Sequence, residues 1–218
     1  VLLPWLLRWE APEDRTAFAA ALHAGSCAGL AVALRDDLRA LDRRTAGRLA
    51  WSTLPAAAAG LVLHDVVEAR LGRPGPTAVL LAGAGAALWW ADRRPETNAV
   101  IGGREAAAAA AAQVVALAPG VSRYGATVTV LRALGVVRAD AVRWSLLLSL
   151  PVTAGAAGLT VLRSGGRPPV VPTGLAAVAA LGTATALDRG SRRVLTASAL
   201  YRLVLATAVV VRRRKERV

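Results

Sequence analysis

The segment richest in usable chemistry is Pro119-Gly120-Val121-Ser122-Arg123-Tyr124-Gly125-Ala126-Thr127. Pro119 and Gly120 stop a preceding helix and let the backbone turn sharply. Ser122 is placed to cap a helix that starts at Arg123. The free N–H groups of a helix start carry partial positive charge and attract anions. Gly120 and Gly125 let the backbone come close to a ligand. Arg123 offers a planar fork of donors that matches phosphate oxygens. Thr127 lies one helical turn beyond Arg123, so its hydroxyl is expected on the same face. These residue types in this order predict a phosphate-binding loop. Ser122 has three readings there: a donor to phosphate, a helix cap or a nucleophile. Arg123 has a second reading from its residues alone, as a side chain that snorkels to a membrane interface beside an ordinary Pro-Gly loop.

The elements that must hold this loop are apolar. Ala106–Ala118 is an alanine-rich run of high helix propensity, yet too short to cross a bilayer, which takes roughly 20 residues. After the loop comes a second apolar stretch, Val128–Val137. Helix, break, polar loop, helix is the pattern of a re-entrant hairpin over 106–137, with its loop at 119–127. Broken backbone at membrane depth survives only where it lines a cavity or is buried in protein, and such breaks point to binding sites. An Arg flanked by apolar helix is costly, so a functional role is its default explanation.

The rest of the chain fits that setting. Of 218 residues, 55% are hydrophobic and 19% charged, and the mean hydropathy is +0.46. An ordinary soluble domain is less apolar and carries about 25% charged residues. A disordered tail and a fibrous repeat are excluded. One Cys excludes an internal disulfide framework. The net charge of +13 is not a nucleic-acid footprint, because aromatics are 4% and basic residues punctuate apolar runs; an anionic membrane surface is the better partner. Six windows read as spans: Ala17–Leu34, Leu49–Leu63, Thr77–Ala91 (ending in the interfacial pair Trp89-Trp90), Trp144–Leu162, Pro168–Leu187 and Val194–Val211. Compact polar links separate them, among them Asp188–Arg193. The expectation is one all-α domain over residues 1–218: a polytopic integral membrane protein with about six transmembrane helices plus the hairpin. The Lys/Arg balance of the links does not choose an orientation.

Secondary candidates are weaker. His23 sits inside an apolar span. His64, Asp65 and Glu68 are metal-ligand types, but their place at a helix end favours a solvated role. Cys27 reads as packing, and Asp36 with Asp37 as a solvated loop. Gly83, Gly85, Gly155 and Gly158 are expected to allow close helix contact.

The loop 119–127 resembles the Pro-Gly-x-Ser-Arg-Ser-x-x-Thr signature of the undecaprenyl-diphosphatases, the bacitracin-resistance proteins. The resemblance runs outward to Gln113 and Leu117, to Ala141–Pro151, to Phe18–Gly25 with its Leu22-His23-Ala24-Gly25, and to Ala199-Leu200-Tyr201-Arg202. It implies a multi-pass phosphatase of the bacterial cytoplasmic membrane. Such an enzyme removes the terminal phosphate from undecaprenyl diphosphate, recycles the lipid carrier of cell-wall synthesis and lowers sensitivity to bacitracin. It further implies inverted repeats with two re-entrant hairpins and a divalent cation, Mg or Ca. The implied partners are the polyprenyl diphosphate substrate, membrane lipids and a homodimer, without nucleic acid. Arg123 and Ser122 take the catalytic places, and Gly120, Tyr124, Gly125, Thr127 and His23 the substrate-binding ones.

Two departures stand out. Tyr124 replaces the family's usual Ser. The family's acidic Glu/Gln-x-x-x-Glu motif has no match, and Val1–Trp9 resembles the residues just after it. With no Met in the chain, that motif, and with it the metal ligands, is expected upstream of Val1, leaving the first hairpin incomplete. The rival readings are a polyprenyl-phosphate transporter or flippase, and a catalytically incomplete remnant.

Overall fold

The computed structural model describes residues 2–7, 14–97, 100–164 and 169–215. Its elements are all helices: α1 (Leu2–Leu7), α2 (Arg15–Ala33), α3 (Arg35–Arg39), α4 (Arg43–Leu71), α5 (Pro74–Asp92), α6 (Gly103–Val115), α7 (Arg123–Ala133), α8 (Arg138–Ser164) and α9 (Val170–Lys215). The residues at their starts explain several boundaries. Asp14 and Asp42 accept from the N–H groups of Ala17 (2.8 Å) and Thr45 (2.7 Å), capping α2 and α4. Pro74 opens α5, where its missing N–H costs nothing. Glu105 reaches back to the N–H of Gly102 at 2.9 Å ahead of α6.

This is the expected all-α, multi-pass membrane architecture. Four segments are long and apolar enough to cross a bilayer: Thr16–Ala33, Arg138–Leu159, Val170–Leu187 and Leu195–Arg213. The bent α4 makes a fifth if its two parts form one span. The expected span Thr77–Ala91 lies in α5. Leu49–Leu63 lies in α4, between charged ends.

The last two expected spans are one helix. The polar link Asp188–Arg193 is helical, and α9 continues through it for 46 residues. The link has no proline, and its lone Gly190 costs a helix only about 1 kcal/mol. At a rise of 1.5 Å per residue α9 is about 69 Å long, more than twice a hydrocarbon core of about 30 Å.

Helix α9 packs on α2 and on α5. Its contact with α2 depends on two glycines one turn apart. A methyl group on Gly25 would run into the Thr173 carbonyl, and one on Gly29 into that of Ala177. Its contact with α5 depends on Gly85, where a methyl carbon would lie 3.2 Å from the Ala199 carbonyl. Gly83, Gly155 and Gly158 have nothing within 4 Å and do not mediate helix contact, contrary to expectation. The main core gathers Leu88 of α5, Val128 and Leu131 of α7, Val142 and Leu148 of α8, and Leu195 of α9. Helix α7 therefore sits in the middle of the bundle, packed on α5, α6 and α8.

Candidate functional site

Helix α6 ends at Val115, and the chain turns before α7 begins at Arg123. The two helices pack on each other as a helical hairpin. Gly120 stands at φ +96°, a left-handed conformation that favours glycine. A methyl group there would strike the Thr77 carbonyl and lie 3.1 Å from the Leu81 nitrogen. The loop is thus laid directly on the first turns of α5.

Ser122 is the N-cap of α7. Its backbone is extended (φ −62°, ψ 129°), and its Oγ accepts from the N–H of Gly125 at 3.3 Å. That fills one of the hydroxyl's lone pairs and leaves its proton to donate elsewhere. Thr127 is engaged within its own helix. Its Oγ1 donates to the carbonyl of Arg123 at 3.0 Å, and the side chain is 1% exposed. The hydroxyl serves its own helix because a threonine in a helix finds the carbonyl one turn back more readily than a ligand.

Tyr124 is fixed by its backbone: its carbonyl accepts from Ser145 Oγ of α8 at 3.1 Å. Its phenolic oxygen is buried without a hydrogen-bond partner among the described residues. Arg123 is half-buried and lies within electrostatic range of His23 on α2.

The residue that sequence reasoning missed as a site member is Arg202. It projects from α9, is 5% exposed, and has a buried Nη1 without a hydrogen-bond partner among the described residues. Its guanidinium lies against Gly125: a methyl group there would be 2.5 Å from both Nη1 and Nη2. The Tyr124 hydroxyl is within its electrostatic range. Among the described residues no ion pair includes Arg123 or Arg202. Two guanidinium-bearing residues without a carboxylate thus flank the start of one helix. The signal was present in the sequence, because Arg202 is the charge that interrupts the apolar run Val194–Val211.

The arrangement suits an anion and not a cation. Among the described residues no group of three or more His, Cys, Asp or Glu could hold a metal ion. The His64 side chain lies outside the described residues. Asp36 and Asp37 are not a plain solvated loop. They sit in α3, and Asp37 Oδ1 pairs with Arg143 Nε of α8 at 3.2 Å. Cys27 is a free, half-buried thiol.

The fold is that of a helical multi-pass membrane protein, with Arg123 and Arg202 at the capped start of a helix inside the bundle. The chain belongs to the bacitracin resistance protein BacA family, whose model matches residues 1–208. It is similar to the undecaprenyl-diphosphatase of Thermomicrobium roseum, at 35% identity over 81% of this chain and 70% of the relative. It is similar to that of Teredinibacter turnerae, at 36% over 73% and 67%. A third relative, the undecaprenyl-diphosphatase of Geobacter metallireducens, is 38% identical over 74% and 66%. The chain spans about two thirds of the length of these relatives.

Proposed function

We propose that this chain is the phosphatase that hydrolyses undecaprenyl diphosphate to undecaprenyl phosphate and inorganic phosphate, recycling the cell-wall lipid carrier in the bacterial cytoplasmic membrane. The observation that carries the reading is the pair Arg123 and Arg202 at the capped start of α7, in a member of this family. The two guanidiniums receive the diphosphate oxygens. Phosphoryl transfer asks a protein mainly for positioning and for neutralising charge, and donors fixed in a dry site do this without reorganising. Water attacks the terminal phosphorus, and the bond from that phosphorus to the bridging oxygen breaks. The bridging oxygen leaves on the lipid phosphate, and the water's proton passes to solvent or to a phosphate oxygen. Ser122 donates its free hydroxyl proton to the phosphate, while Gly120 and Gly125 keep the backbone clear. His23 is assigned to substrate binding on the family resemblance. The apolar helix faces take the prenyl chain.

No step of this reading runs through a divalent cation, because the described residues around the loop do not fit one. Mg or Ca is kept as a proposed cofactor on the resemblance alone, and chelation followed by readdition tests it. The homodimer is likewise a proposal, tested by cross-linking in the membrane. The test of the function is phosphate release from undecaprenyl diphosphate by the purified complete protein in vesicles. Release at turnover supports the phosphatase. Binding of the lipid without release, metal present, favours the transporter.

A further inference from the structure

Away from the loop, the other end of α7 carries a second arginine with a different environment. Arg132 is 0% exposed. Its Nη1 donates to the carbonyl of Val136 at 2.6 Å, and its Nη2 to those of Arg94 at 2.7 Å and Asp92 at 3.4 Å. These are carbonyls at or just beyond the C-terminal ends of α7 and α5, where intrahelical partners run out. The carboxylates of Asp92 and Glu96 stand 3.8 and 3.4 Å from its Nε and Nη1. Arg138, opening α8, binds the same two acids: Nε to Asp92 Oδ1 at 2.5 Å and Nη1 to Glu96 Oε1 at 3.2 Å. Two cations and two anions therefore tie the end of α5, the 93–97 loop, the end of α7 and the start of α8 into one unit. Next to it, Arg93 and Arg94 lie over the rings of Trp89 and Trp90, at 3.3 and 5.1 Å. Stacked Trp and Arg beside a charged cluster is the chemistry of a membrane–water interface.

We propose that this cluster anchors α7 at the interface and that Arg132 is the positioning residue which sets the depth of the anion loop. From Arg132 back to Arg123 the helix has no proline, and at 1.5 Å per residue it spans about 14 Å. That is roughly half of a hydrocarbon core about 30 Å thick. The loop is thereby held near mid-depth, at the level where Arg202 of α9 lies against Gly125. Arg132 grips three carbonyls with one planar fork, which a lysine cannot do. The proposal rests on the reading of Arg123 given above.

The test uses the complete protein in phosphatidylcholine vesicles, with Cys27→Ala and a fluorescent label on Ala118→Cys. Quenching by lipids carrying shallow or deep nitroxides reports the depth of the loop. Unlabelled protein gives kcat/KM for undecaprenyl diphosphate. Arg132→Leu is expected to shift the quenching ratio and to lower kcat/KM about tenfold, the scale of a small misplacement of a reacting group. Arg132→Lys, which keeps the charge and guards against a folding failure in the Leu variant, is expected to shift the ratio less and to recover part of the rate. An unshifted ratio in both variants overturns the anchor. A shifted ratio with unchanged kcat/KM overturns the positioning role. The depth reading needs no substrate, so a protein without phosphatase activity whose label still shifts refutes the proposed function and not the anchor.

Discussion

Gly125 and Arg202 occupy each other's space: a single methyl group on Gly125 would stand 2.5 Å from both terminal nitrogens of the arginine. The glycine is in the first turn of α7 and the arginine deep in α9. Their contact lays a buried guanidinium against the first turn of a capped helix. Among the described residues no carboxylate pairs with that guanidinium.

Gly125→Ala must therefore displace Arg202. The expected result is a fall in kcat/KM of about tenfold or more, with the fold retained. Combining it with Arg202→Met should cost little beyond the worse single change, because the two residues act as one unit. Phosphate-release kinetics on the four proteins check this, and additive losses would separate the residues.

Arg202→Met keeps length and apolar contact while removing the charge. A buried charge without a partner costs stability. Thermal unfolding of the purified protein should show Arg202→Met melting higher than wild type, while kcat/KM falls at least about tenfold, within the range for losing a charge-stabilising donor. A lower melting temperature would mean that Arg202 serves the fold.

Ser122 separates capping from chemistry. Ser122→Ala should cost about 1 kcal/mol of stability through the lost bond to the Gly125 N–H. Ser122→Asp keeps a capping oxygen but sets a negative charge where the phosphate goes. Its stability should match wild type while activity is lost. Comparable activity in the Asp variant would mean that phosphate does not approach this helix start.

Thr127→Val should change kcat/KM by less than about threefold, since a neutral hydroxyl bonded to its own helix is worth about 1 kcal/mol at most. A loss of a hundredfold would show that Thr127 leaves the Arg123 carbonyl to bind substrate.

Much of the hairpin was legible because its signals are local. Pro119-Gly120 ends one helix, Ser122 caps the next, and each acts within a few residues. The membrane setting was legible from composition. What sequence could not show depends on partners far along the chain. Arg202 reads as an interruption until α9 is packed on Gly85 and Gly125. Gly25 and Gly29 look like their counterparts at Gly155 and Gly158, yet only the first two meet a neighbouring backbone. The charged link 188–193 has loop-like residues but no true helix breaker, so α9 runs straight through it. The bond from the Thr127 hydroxyl to the carbonyl one turn back is local to α7.

The central claim is that Arg123 and Arg202 together grip the diphosphate for hydrolysis. Single-turnover phosphate release from undecaprenyl diphosphate, on the complete protein in vesicles at matched folded amounts, tests it most directly. The account predicts release by wild type and a loss of about a hundredfold or more in Arg123→Ala, with Arg202→Met also impaired. Wild-type release rates in both variants would contradict it.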